Sequence, residues 1–121
     1  MFKTDLYVQV FENRVRARNV GSGLAADKTP SEPFSHPRSL VGNFTGAEAA
    51  IKAAVSEVKG SGFFRFVRIL IQPMAKCEGG LTQIESRVLR ELALGAGAGK
   101  VTVWVGEVLS DEDVRRKLDG S

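Results

Sequence analysis

The chain has 121 residues and a formal net charge of +3, which is length enough for one domain with its own core and too little charge to imply nucleic acid by itself. Apolar residues at 43% and charged residues at 26% exclude a disordered chain, and no run approaches the ~20 apolar residues of a membrane-spanning helix. The single cysteine, Cys77, and the single histidine, His36, exclude an internal disulfide and a four-ligand Cys/His zinc site; with no signal-peptide pattern at the start, a reducing, cytoplasmic home is expected.

Leu6, Val8 and Val10 alternate with Tyr7, Gln9 and Phe11, the pattern of a half-buried strand. After a turn near Glu12-Asn13, a second alternating run from Arg14 to Val20 completes a β-hairpin. Residues 21–42 hold the turn formers Gly21, Gly23, Pro30, Pro33 and Pro37, with room for one short strand between Gly23 and Lys28. Thr45-Gly46-Ala47-Glu48 has the spacing of a capping box and opens a helix to Lys59, in which Ala47, Ile51, Val55 and Val58 recur at helical spacing before Gly60. Phe66 to Gln72, apolar and β-branched, reads as a buried parallel strand ended by Pro73. A second capping box, Thr82-Gln83-Ile84-Glu85, opens a helix to Leu94 with Ile84, Val88, Leu89 and Leu92 as its apolar face, closed by Gly95 and Gly97. Lys100 to Val105 is another buried strand, and Ser110 caps a last helix through Leu118. This order predicts an α/β fold in one domain over residues 1–121: a mixed sheet with an N-terminal antiparallel hairpin and a β-α-β-α-β continuation through right-handed crossovers.

The local sequence adds a resemblance. Gly80-Leu81-Thr82-Gln83-Ile84-Glu85-Ser86-Arg87, continuing to Arg90-Glu91 and Gly95-Ala96-Gly97-Ala98, is similar to a helix of the bacterial actin homologue MreB, where Gly-x-Thr-x-Val-Glu-Arg-Arg leads to Arg-Glu and Gly-Ala-Gly-Ala. The opening Met1-Phe2-Lys3-Thr4-Asp5-Leu6 resembles the start of that family, and Leu40-Val41-Gly42-Asn43-Phe44-Thr45 stands where it has Gly-Val-Ile-x-Asp-Phe. The resemblance implies a ribonuclease-H-like, actin-like half-domain equivalent to the family's first subdomain, with the loop 21–42 in place of the small inserted subdomain.

The departures bear on activity. Where the family carries Asp-Leu-Gly-Thr against the ATP phosphates, this chain has Gln9, Val10, Phe11 and Glu12, a bulky ring and an added negative charge. The helix-entry aspartate is Asn43, and Val105-Gly106-Glu107 replaces a Glu-Glu-Pro turn. The second large domain, which supplies the other phosphate loop, has no counterpart in this sequence. A degenerate, non-catalytic half-domain with no cofactor is expected. Glu85 matches the family's water-activating glutamate and Thr82 lies beside it, yet both are also the two members of their own capping box.

Other patterns carry less chemistry. Gly95 to Lys100 is one residue short of a phosphate loop, has Val101 where Ser or Thr belongs, and runs from helix to strand. A two-metal nuclease needs carboxylates on the first strand, where Gln9 occupies the natural place and Asp5 lies at the edge. Arg14, Arg16 and Arg18 share one strand face, either a patch for phosphates or an acidic partner or the solvated face of an edge strand; no aromatic interleaves them, so nucleic acid is not expected. Phe63, Phe64, Arg65 and Phe66 follow a glycine-rich connection, and three readings are open for the rings: an anionic membrane surface, a protein partner, or the core. His36 reads as a loop residue, Cys77 as a passive thiol, and Trp104 as core or interface.

The functional expectation is an MreB-related interaction module in cell-shape or envelope organisation. It would act by self-association, by contact with an MreB-type filament or another cell-shape protein, and at the inner face of the cytoplasmic membrane. The alternatives are a residual nucleotide-binding or ATPase fragment completed by a second chain, and a basic nucleic-acid-binding module.

Overall fold

Ten consecutive residues that alternate without a helix former in phase make β1 (Phe2–Phe11), the middle strand of the computed structural model, which describes residues 2–60 and 65–120. β1 turns at Asn13, whose φ of 55° is a left-handed conformation that Asn tolerates, into antiparallel β2 (Arg14–Asn19) and on to β3 (Ala25–Lys28). α1 (Phe44–Val58) crosses to β4 (Arg65–Pro73), parallel to β1, and α2 (Gln83–Gly95) crosses to β5 (Lys100–Val103), parallel to β4. α3 (Asp111–Gly120) follows. The molecule is a mixed α/β protein: an open five-stranded sheet in the order β3-β2-β1-β4-β5, with three helices.

The period of two along each strand sorts side chains onto two faces. On one face Leu6, Val8, Val10, Val15, Ala17, Ile69 and Ile71 meet Ala47, Ile51, Ala54 and Val58 of α1 and Leu89, Leu92 and Ala93 of α2 in a single apolar cluster. On the other, Tyr7 and Leu70 meet Val114 and Leu118 of α3 in a smaller cluster, with Trp104 and Leu109 packed against it. Each large aliphatic chain so buried contributes about 1.5–3 kcal/mol of transfer free energy.

Several expectations are corrected. β1 is buried on both faces, not half-buried, because α3 packs over Tyr7 and Leu109, just before α3, donates its amide to the Tyr7 hydroxyl. α1 is capped by Asn43, whose Oδ1 accepts from Gly46 N at 3.1 Å, so Thr45 lies inside the first turn and forms no capping box. Asn43 is fixed there because Gly42 N and Asn43 N both donate to Phe34 O at 2.8 Å. β2 is an interior strand, because the short run near Gly23 to Lys28 does pair with it and takes the edge. β5 ends at Val103 rather than Val105. The loop 21–42 buries Phe34 and Leu40 in the main core. In α2, Val88 packs on the core and Leu89 and Leu92 are buried in it, but Ile84 is 77% exposed. The second capping box stands as expected: Thr82 Oγ1 accepts from Glu85 N at 3.1 Å, and Glu85 Oε1 accepts from Thr82 N at 2.9 Å.

Candidate functional site

The carboxyl ends of parallel strands are where open α/β sheets hold ligands, and a cleft of about 140 Å³ opens there beside the end of β4. Its walls come from three segments: Leu40 and Val41 ahead of α1, Pro73 and Ala75 after β4, and Leu81, Ile84, Val88 and Leu89 around the first turns of α2. Ser39, Lys76 and Glu85 complete the lining. The Pro73 ring ends the ladder, and Lys76, at φ 55°, turns the chain toward α2. The volume is below the roughly 300 Å³ at which small-molecule pockets begin, so the cleft admits a side chain or a small group.

Its polar members are already engaged. Glu85 closes the capping box, and Lys76 Nζ donates to His36 O at 2.8 Å and lies 3.6 Å from Glu12. The expected pair Thr82 and Glu85 is brought together at the start of α2, where Glu85 also borders the cleft. The aliphatic lining was missed by sequence reading; its only signal was Leu40-Val41 and Leu81 standing in otherwise turn-rich segments.

Arg14, Arg16 and Arg18 do share a face, and each has an acidic partner. Asp27 of β3 accepts from Arg14 at 2.7 Å and from Arg16 at 3.1 Å, while Asp111 of α3 takes Arg18 through both oxygens at 3.1 and 3.2 Å. These bonds and the adjacent charge raise the Arg18 pKa. Arg14 also stacks 3.9 Å from the centroid of Phe11. Such exposed pairs add little stability, but with two carboxylates against three guanidiniums they leave the row only one net positive charge.

Beneath α3 lie polar groups that sequence reading did not join. Arg68, almost wholly buried, donates through two nitrogens to both oxygens of Asp5 and through a third to Asp119, each at 2.7 Å. The Asp119 carboxyl is held below its ordinary range by that hydrogen bond. Tyr7 donates to Gln72 Oε1 and accepts from Leu109 N at 3.2 Å, and Gln72 Nε2 reaches Gly106 O and Glu107 O at 2.8 and 3.1 Å. Burial pushes the Tyr7 phenol up. Asp5, the edge carboxylate weighed for a metal, is thus an arginine ligand. Among the described residues no group of three or more His, Cys, Asp or Glu is placed to hold a metal ion.

Phe63 and Phe64 lie outside the described residues, and of Arg65 only its place at the start of β4 is described. Phe66 is half-buried, its ring over Gly99, where a Cβ would come within 2.3 Å of it. Trp104 stands just past β5, its indole N–H on Glu107 O at 2.9 Å and Lys117 Nζ 3.6 Å from its centroid. His36 Nδ1 accepts from Arg38 N at 3.1 Å, and Cys77 is a half-buried free thiol. Among the described residues no helix is long and apolar enough to cross a membrane.

No protein-family model matches the chain. The uncharacterized protein YjaA of Escherichia coli (strain K12) is 28% identical over 123 residues, an overlap that takes in 93% of this chain and 95% of that protein.

Proposed function

We propose that the chain is a non-catalytic interaction module, related to the first subdomain of MreB-type actin homologues, that works by self-association and by contact with cell-shape proteins at the inner face of the cytoplasmic membrane. The observation that carries this reading is the state of the cleft. Its one carboxylate, Glu85, is oriented toward its own helix end by the Thr82 amide at 2.9 Å, and the remaining lining is largely aliphatic with Ile84 exposed at its mouth. An open aliphatic rim favours a protein side chain. Phe11 and Glu12, at the turn where the resembling family sets its phosphate-binding segment, favour the same reading. The element order and the Gly80–Ala98 block support the kinship.

A second reading, residual nucleotide binding, is favoured by the cleft's position at the strand ends. Thermal stability with and without millimolar magnesium-ATP, on a sample whose solution mass is measured alongside, separates the two. The module reading expects an unchanged melting temperature and a dimer or larger species. A ligand at many times its Kd stabilises measurably, so a clear upward shift that is lost in Glu85→Gln overturns it in favour of the nucleotide.

A further inference from the structure

We infer that the outward face of α2 is a self-complementary surface on which a second copy of this chain docks antiparallel, with a two-fold axis at the level of Leu89. The inference rests on the self-association reading and specifies its interface. α2 buries Leu89, Leu92 and Ala93 against the sheet. On the opposite side Ile84, Arg87, Glu91 and Leu94 are all exposed, Ile84 at 77% and Leu94 at 43%. At 3.6 residues per turn these four fall within an arc of about 80° centred opposite Leu89. Two of the large apolar side chains left in water by the described residues therefore lie on one narrow stripe.

The stripe has a two-fold pattern. Ile84 and Leu94 are equidistant from Leu89, and so are Arg87 and Glu91. Antiparallel pairing of two such helices sets Ile84 against Leu94 of the second copy and Arg87 against its Glu91, and the symmetry repeats both contacts. An isologous pairing of this kind closes at two subunits. Within one chain, Arg87 and Glu91 form no ion pair with any described residue. The order Arg then Glu at i, i+4 is also the weaker orientation against the helix dipole. Both charges are thus available across the axis. The opposing Leu94 arrives at Ile84, which also walls the cleft beside Leu81 and Val88, so each copy offers an aliphatic side chain to the other's cleft mouth. The stripe is about 15 Å long and smaller than standard interfaces, so the dimer exchanges with monomer on dilution.

Charge reversal tests this on the intact chain by sedimentation across a concentration series. Arg87→Glu alone, and Glu91→Arg alone, each set like charges face to face twice and are expected to weaken self-association by about tenfold or more. Mixed in equal amounts, the two variants restore both ion pairs and are expected to form a heterodimer of wild-type affinity. Both positions are exposed, and unchanged melting temperatures confirm the fold. Loss without rescue in the mixture overturns the antiparallel register. Assembly of the wild type that neither variant alters overturns the α2 surface and leaves self-association standing, whereas a wild type that stays monomeric at millimolar concentration overturns both.

Discussion

Under α1 and α2 the sheet presents mostly aliphatic side chains, with Asn19 on Val58 O as a buried polar exception, whereas under α3 the same strands present Asp5, Tyr7, Arg68 and Gln72 among a handful of apolar contacts. The first layer is held by area, which is non-directional and tolerates repacking at constant volume. The second is held by geometry: each polar group is fully partnered, and among the described residues no buried side-chain nitrogen or oxygen lacks a hydrogen bond. Area resists single losses in proportion to their size, while a polar network fails when one member leaves another stranded.

The largest expected effect breaks the polar side. Arg68→Ala leaves Asp5 with its charge largely out of water, and chemical denaturation should show a loss of about 3–5 kcal/mol. Replacing both partners, Arg68→Met with Asp5→Leu, should recover most of that loss, because an apolar pair removes the stranded charge. A double variant no better than Arg68→Ala would argue against this account. On the apolar side, Ile51→Ala empties a fully buried position in α1 and should cost about 2–5 kcal/mol, with no comparable rescue by a second truncation.

Smaller effects sharpen the contrast at the helix ends. Asn43→Ala should destabilise by about 1 kcal/mol through the lost cap, while Thr45→Ala should change the urea midpoint little. Reversal of that order would restore Thr45 as the cap. The smallest effect is a pH dependence. Asp119 is held below its ordinary pKa when folded, so its contribution to stability is present above the unfolded value and is lost as the pH falls through the folded one. Acid unfolding of Asp119→Asn should lack that part of the slope.

The elements were legible where they depend on neighbours in sequence. The strand periods, the helix stops and the Thr82–Glu85 capping box are all written within a few residues. The first helix cap was displaced by two residues because Asn43 and Thr45 are both good caps, and the choice between them is made by Phe34, nine residues earlier in a loop. The ion triad and the Tyr7–Gln72 pair join residues 51 to 65 positions apart, and no local pattern announces them. The arginine row was legible as a row; its pairing with acidic partners was not, since Asp111 lies 93 residues away from Arg18. Ile84 is apolar and still faces outward, because five residues before Leu89 it falls about 140° round α2 from that buried side chain, at the mouth of the cleft.

The chain contains one tryptophan and one tyrosine, and both sit in the small layer beside α3, Tyr7 beneath it and Trp104 under the Lys117 ammonium. Emission and near-ultraviolet ellipticity from these two rings therefore report on that layer, while far-ultraviolet ellipticity is dominated by all three helices together. If the layers melt as one cooperative unit, the optical curves superimpose. If the C-terminal helix peels away first, indole emission moves while most of the helical signal persists, so partial opening of this protein can be followed without attaching a label.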